Sequence, residues 1–491
     1  MLSLNPCCRA KVKIQKENIM ENKFAFKFTF IAAFITLTAC TTNVDLSSKV
    51  EMPAQFEQTQ NATTSKNIQE IARWWQNWRD PQLTRLIELG LQNNLDIEIA
   101  KARLQEAQAN SRYTQADLGP KVGAQGSAGM IHSHVENPLT QRTYDRSGNV
   151  QYAGITASWE LDFFGKKRSD RDAAQAAVLA AQQQVYAAQM LVAGQIAESY
   201  SNIVALHQQN ALLQQNETYL RRLKGYAEGR FRAGQANAND VLQVESRISA
   251  VQAQQATLNA QIAGNERAIA ILIGKPPQGF RLNKSAVDFL GVLPPAPHGV
   301  MPSDVLERRP DLRAYRAQVQ ALAAKLASAK ADLYPHFEIQ FLGQTGRIDI
   351  NTDIPDLKGW GNLLSLDISL PIFTNGRIQA NIDAADARLK AALLQYDKGL
   401  LQALADVDNS YQAQAALNRQ TQLLQTACQQ AQKQANNAEK LFNYGEKTLD
   451  NDLTARLTAL DYQNQLIQSR LAGAKNLISL YKALGGGWSE R

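Results

Sequence analysis

The sequence predicts a mainly α-helical chain with a membrane β-barrel part, built from two copies of one unit. Three observations carry this. Residues 166–274 contain no proline. Their pattern recurs 211 residues later. Ahead of each helical tract, the apolar period switches from about 3.6 to 2, the change expected on passing from helix to strand. An excess of Ala and Gln, with only 7% aromatic residues, favours long helices over a compact α/β enzyme.

The N-terminus carries an export signal. Lys23 and Lys27 precede the apolar run 28–37, which is too short to span a bilayer. Leu37-Thr38-Ala39-Cys40 resembles a bacterial lipobox, which implies cleavage before Cys40 and an acyl/diacylglycerol lipid on it. Residues 1–39 are therefore expected to be a signal peptide, with Met20 a plausible start. Thr41 lacks the acidic character that marks inner-membrane retention in such lipoproteins. Residues 40–70 are polar and read as a lipidated tether. Removal of residues 1–39, with six cations and two acids, lowers the net charge from +7 to +3 and weakens any case for nucleic acid. Cys40 and Cys428 would remain, so no structural disulfide is expected. The tether meets Trp74, Trp75 and Trp78, read as an aromatic anchor.

The duplication has a constant offset. Gly165, Tyr200, Phe231, Gly234 and Gly274 match Gly376, Tyr411, Phe442, Gly445 and Gly485, each 211 residues on. Upstream the offset is 215, from Asp96 to Asp311 and Pro120 to Pro335. The first repeat spans 71–302, with strands near 121–134 and 150–163, a long helix 166–228 and a return helix 239–274. The second spans 303–491, with strands near 336–347 and 362–374, a long helix 377–440 and a return helix 450–484. A helix over 166–228 would be about 95 Å long. Val178, Val185, Val192, Ile196, Tyr200 and Ile203 form a narrow seam along it, and the return helix carries its own at Val241, Val244, Ile248, Val251 and Leu258. Residues 275–302 hold six of the fifteen prolines and read as an irregular crossover.

The strands alternate. Ala153, Ile155, Ala157, Trp159 and Leu161 oppose Tyr152, Gly154, Thr156, Ser158 and Glu160; Leu364, Leu366 and Ile368 oppose Ser365 and Asp367. An apolar face backed by a polar or acidic one suits a membrane barrel with a wet lumen. A soluble sandwich edge has the same alternation, but the export signal favours the membrane. Four strands cannot close a barrel, and bare strand edges are not tolerated in lipid, so several chains must contribute.

Several ordered motifs carry a resemblance: Trp75-Gln76-Asn77-Trp78-Arg79-Asp80-Pro81, Trp159-Glu160-Leu161-Asp162-Phe163-Phe164-Gly165, Arg230-Phe231-Arg232-Ala233-Gly234, Glu307-Arg308-Arg309-Pro310-Asp311 and Pro371-Ile372-Phe373-Thr374-Asn375-Gly376-Arg377. They span nearly the whole mature chain, which resembles the TolC-like outer membrane efflux proteins, in the lipoprotein branch serving resistance-nodulation-division pumps. The resemblance implies a homotrimer with a 12-stranded outer-membrane β-barrel continued by a periplasmic α-helical barrel. It also implies a non-catalytic, cofactor-free exit duct for drugs or other small molecules, joined through a periplasmic adaptor protein to an inner-membrane transporter. The tips Arg232, Gly234, Asp240, Tyr444 and Gly445 would face the adaptor. A periplasmic gate would lie at Asp450, Asn451, Asp452 and Leu453. Measured from Gly445, the family's usual gate aspartates fall at Asn451 and Thr454, a departure from the pattern; Asp450 and Asp452 are equally explained as helix-start acids. The outlet of a type I protein secretion system and a poreless periplasmic coiled-coil lipoprotein are the competing functions. Glu307-Arg308-Arg309-Pro310-Asp311 reads as a helix entry, and His132 with His134 as a loop-edge pair; no nucleophile or phosphate motif occurs.

Overall fold

The computed structural model describes Ser48, Val50, Glu51, Pro53, Gln55, Phe56 and residues 71–137, 142–284, 287–297, 300–350 and 357–488. The expected signal peptide, Cys40 and most of the expected tether lie outside these residues.

The first repeat holds α1 (Pro81–Asn93), α2 (Leu95–Ala116), β1 (Lys121–Asn137), β2 (Arg142–Leu161), α3 (Lys166–Arg232) and α4 (Ala238–Leu272). The second holds α5 (Pro302–Arg308), α6 (Pro310–Ala331), β3 (His336–Ile350), β4 (Leu357–Ser369), α7 (Arg377–Asn443) and α8 (Leu449–Ala483). The duplication is quantitative: α3 and α7 both have 67 residues, α4 and α8 both have 35, and α2 and α6 both have 22. At the usual rise, α3 and α7 each run about 100 Å. None of the described helices is long and apolar enough to cross a membrane.

Glycine sets the boundaries of the long helices. Gly165 and Gly376, both at φ +78°, start α3 and α7 in the left-handed region. At the far ends, Gly234 and Gly445 adopt φ +70° and +77° and close Schellman turns, with Gln235 N–H donating to Arg230 O and Glu446 N–H to Leu441 O. No atom lies within 4 Å of a Cβ built at either tip glycine, so the requirement is conformational rather than spatial.

The strands make one antiparallel sheet in the order β1-β2-β3-β4. Pairing of β2 with β3 joins the two repeats, for example Trp159 opposite Ile339 and Ala157 opposite Phe341. Along one face the register aligns Trp159, Ile339 and Leu366, then Ala157, Phe341 and Leu364, then Ala153, Thr345 and Trp360. Leu364, Leu366, Ile368 and Trp360 are 57–80% exposed on that face. From Phe337 to Thr345 the apolar band is roughly 20–25 Å tall for a tilted strand, close to the hydrocarbon height of an outer membrane. The opposite face carries Gln340 with Ser365 and Ser158, and Gln344 with Gly154 and Gly361.

All four strands run further at the hairpin ends than the alternation indicates, to Asn137, back to Arg142, on to Ile350 and back to Leu357. Beyond the apolar band both faces meet water, so the two-residue period disappears while the ladder continues. β4 stops at Ser369, short of the expected 374, because Pro371 has no N–H for a ladder.

The main core lies where the helices are thickest. Trp74, Trp75 and Trp78 are buried there with Phe56, Tyr200, Phe289 and Tyr481. Trp74 stacks on Tyr481 with centroids 5.5 Å apart, and Trp78 on Phe289 at 5.8 Å. Phe56 is 1% exposed, so the tether is anchored into the body at that point. Asp80, 1% exposed, caps α1 through the N–H groups of Gln82 and Leu83 and accepts the Tyr200 hydroxyl at 2.7 Å. The charged stretch before α6 is structural: Arg309 bridges Asp311 at 2.7 Å and Asp406 of α7 at 3.2 Å.

Candidate functional site

Two regions can act on something passing along the molecule: the polar face of the sheet and the tips of the helical hairpins. Because β2 and β4 run in the same direction, α3 and α7 leave the sheet at one end, and both hairpins extend the same way.

Near that end of the sheet, the polar face carries an acidic rung. Glu160 stands opposite Glu338, and Glu338 opposite Asp367. Like charges directly across strands are unfavourable. Lys167 offsets one of them at 3.0 Å from Glu160, and His336 lies 3.6 Å from the same carboxylate. The pattern marks Glu160 and Asp367 as polar-face residues, but their alignment with Glu338 requires the register. At the opposite end, His134 meets Asp145 across the β1–β2 hairpin. Among the described residues, no group of His, Cys, Asp or Glu could hold a metal ion.

At the tips, Arg232, Gly234, Tyr444 and Gly445 are exposed, Tyr444 at 81%. Asp240 closes a capping box with Asn237, each side chain bonding the other's backbone N–H. Seven residues past Gly445 the second hairpin joins the first. Asp452 is fully buried and accepts a hydrogen bond from the Tyr219 hydroxyl of α3. Arg456 lies over the Tyr219 ring, 3.9 Å from its centroid, and bridges Glu439 of α7 at 2.7 Å. Leu453 packs with Leu220, Leu223, Val244, Ile248 and Phe442 in a cluster drawn from all four long helices. Asp450 stays exposed and accepts from Gln243 of α4 at 3.3 Å; Asn451 accepts from Thr448 at 2.7 Å.

The four residues expected to build a gate thus divide. Asp450 and Asn451 are presented to solvent. Asp452 and Leu453 face into the hairpin interface, where they tie the two hairpins together. Burial pushes the Asp452 carboxyl above its ordinary range; the Tyr219 hydroxyl and Arg456 act against that rise and Glu439 adds to it. Burial, with the carboxylate beside it, also holds the Tyr219 phenol well above its usual value. Tyr219 was not legible as a site residue, since no pattern in sequence pairs α3 with α8.

An apolar-banded sheet with a polar reverse face, extended at one end by two long hairpins, defines an outer membrane channel with a helical extension. The chain belongs to the outer membrane efflux proteins, whose family model matches residues 86–275 and 301–486. It is similar to the pyoverdine export outer membrane protein OpmQ of Pseudomonas aeruginosa, 29% identical over 94% of this chain and 97% of the relative. It is also similar to the cation efflux system protein CusC of Escherichia coli, 26% identical over 93% of this chain and 97% of the relative. Among solved structures, the outer-membrane channel OprN superposes with a TM-score of 0.79 over 91% of this chain and all of the other, at 24% identity. The outer membrane protein VceC of Vibrio cholerae does so at 0.74, covering 85% and 99%, at 25% identity.

Proposed function

We propose that three copies of this chain close a 12-stranded barrel and form the passive exit duct of a tripartite efflux pump. A periplasmic adaptor would contact the tips around Arg232, Gly234, Asp240, Tyr444 and Gly445, and a resistance-nodulation-division transporter would drive the flow. The observation that carries this reading is the sheet itself. One face is apolar over a bilayer's height, the other is polar and acidic, and β1 and β4 are its two edges. In lipid those edges must be paired, and pairing β4 of one copy with β1 of the next satisfies them. The relatives carry pyoverdine and cations by name, which supports small solutes over polypeptides. Rungs of Glu160, Glu338 and Asp367 would favour cations, as acidic rings do in cation pores.

In planar bilayers the purified protein is expected to conduct ions as a trimer with cation preference. A detergent-stable trimer without conductance would refute the duct.

Cys40 is proposed to carry the lipid. Cys40→Ser is expected to abolish labelling by a radioactive or clickable fatty acid while the barrel still assembles; retained labelling would place the acyl chain elsewhere.

Tyr219, Asp452, Arg456 and Glu439 act as a latch holding the hairpins together. Because the latched Asp452 has a raised pKa, its contribution is fullest with the proton bound and falls as pH rises through that raised value. Acidification from pH 7 towards 4 should therefore lengthen closed dwell times. Asp452→Asn, which keeps an acceptor for Tyr219, should remove that dependence, with Glu439→Gln as the control for the other acid. Shorter closed dwells on acidification would contradict the latch.

A further inference from the structure

Just beyond the latch, towards the sheet, the first hairpin and α8 part to leave a cleft of about 410 Å³. That is within the range of small-molecule sites. Leu213 and Leu220 of α3, Val251 of α4 and Leu457 of α8 supply apolar walls. Asn216 also lines it; the residue is 6% exposed, and its buried amide oxygen has no hydrogen-bond partner. Such a group is normally satisfied in a folded protein and calls for an explanation.

The cleft lies between two ties. On one side Gln209 of α3 donates to Asn464 of α8 at 2.8 Å; on the other Tyr219 bonds Asp452. The hairpins are thus held together at both ends of a stretch where no side chain fills the space between them. Arg247 of α4 and Asp461 of α8 both border the cleft, so neither net charge is favoured in an occupant.

We propose that this cleft is a binding site for a small uncharged amphiphile, with a flat apolar body against the leucines and one hydroxyl or amine bonded to the Asn216 amide. An occupant bridges the two hairpins and resists their separation. The bridging effect rests on the latch described above; binding itself does not.

The probe is 1-aminoanthracene, titrated by fluorescence into the full-length protein in detergent. Saturable binding at one site per chain is expected. Leu457→Trp, which fills the cleft, should abolish it. Asn216→Leu, which keeps the size and removes the polar group, should weaken it about tenfold, the worth of one good hydrogen bond. Asn216→Leu also serves if Leu457→Trp fails to assemble. Absence of saturable binding, or equal binding by correctly assembled variants, overturns the site. In bilayers, saturating probe should lengthen closed dwells of the parent and leave Asn216→Leu less affected. Unchanged gating with binding intact overturns the bridging effect alone, whereas a probe-free protein that never conducts counts against the duct.

Discussion

Tyr219→Phe is expected to shift the channel towards its open state, with longer open dwells in single-channel records. The substitution keeps the ring beneath Arg456 and removes only the hydroxyl that Asp452 accepts. Leaving a buried acceptor without its hydrogen bond costs about 1–3 kcal/mol, a shift of roughly 5- to 150-fold in each latch. Three latches opening together would compound the effect. Gln243→Ala offers a comparison, because the Gln243–Asp450 bond is solvent-exposed and 3.3 Å long. Its effect should be small. Cells carrying Tyr219→Phe should also admit polar solutes that the parent excludes. Equal open probability in Tyr219→Phe and parent protein would show that the tie is incidental packing.

The largest expected loss of stability is for Asp80→Ala. The carboxylate satisfies two orphan N–H groups of α1 and the buried hydroxyl of Tyr200. Losing the cap costs about 1 kcal/mol. Losing the hydrogen bond from the Tyr200 hydroxyl to this buried carboxylate adds about 2 kcal/mol more. The sum, about 3 kcal/mol, should appear as lower protease resistance and a lower unfolding midpoint. Asp80→Asn retains acceptor capacity and should lose less than half as much. If Asp80→Ala resists protease as well as the parent does, Tyr200 has found another partner.

The repeat architecture was legible because each element leaves a local mark. Proline-free length, a narrow valine and isoleucine seam, paired glycines and an abrupt change of period need no knowledge of distant contacts. Gly234 and Gly445 were placed correctly for a physical reason, since only a left-handed residue closes those turns. Strand ends were less legible. Past the bilayer the side chains no longer alternate, and only the hydrogen-bonded ladder shows that Arg142–Asn149 is still strand. The helix start at Asp450 to Leu453 was legible in position, but the orientation of its side chains was not. Asp450 and Asp452 look alike in sequence, two acids at a helix start, yet one is solvated and the other sealed against Tyr219. That difference depends on how one hairpin lies against the other, which no pattern within either hairpin encodes. The alignment of Glu160, Glu338 and Asp367 was hidden for the same reason, since it depends on strand register.

The equal lengths of α3 and α7, and of α4 and α8, bind the two halves of the gene to each other. Removing one heptad from both arms of a single hairpin would draw its tip back by about 10 Å. In a threefold assembly, a ring of six level tips would become three long and three short. A partner seated on all six would then reach only alternate ones. Length can change without that step only if matching segments are lost or gained at four places in the chain at once. A duplicated duct of this kind can drift freely in sequence while its reach stays fixed.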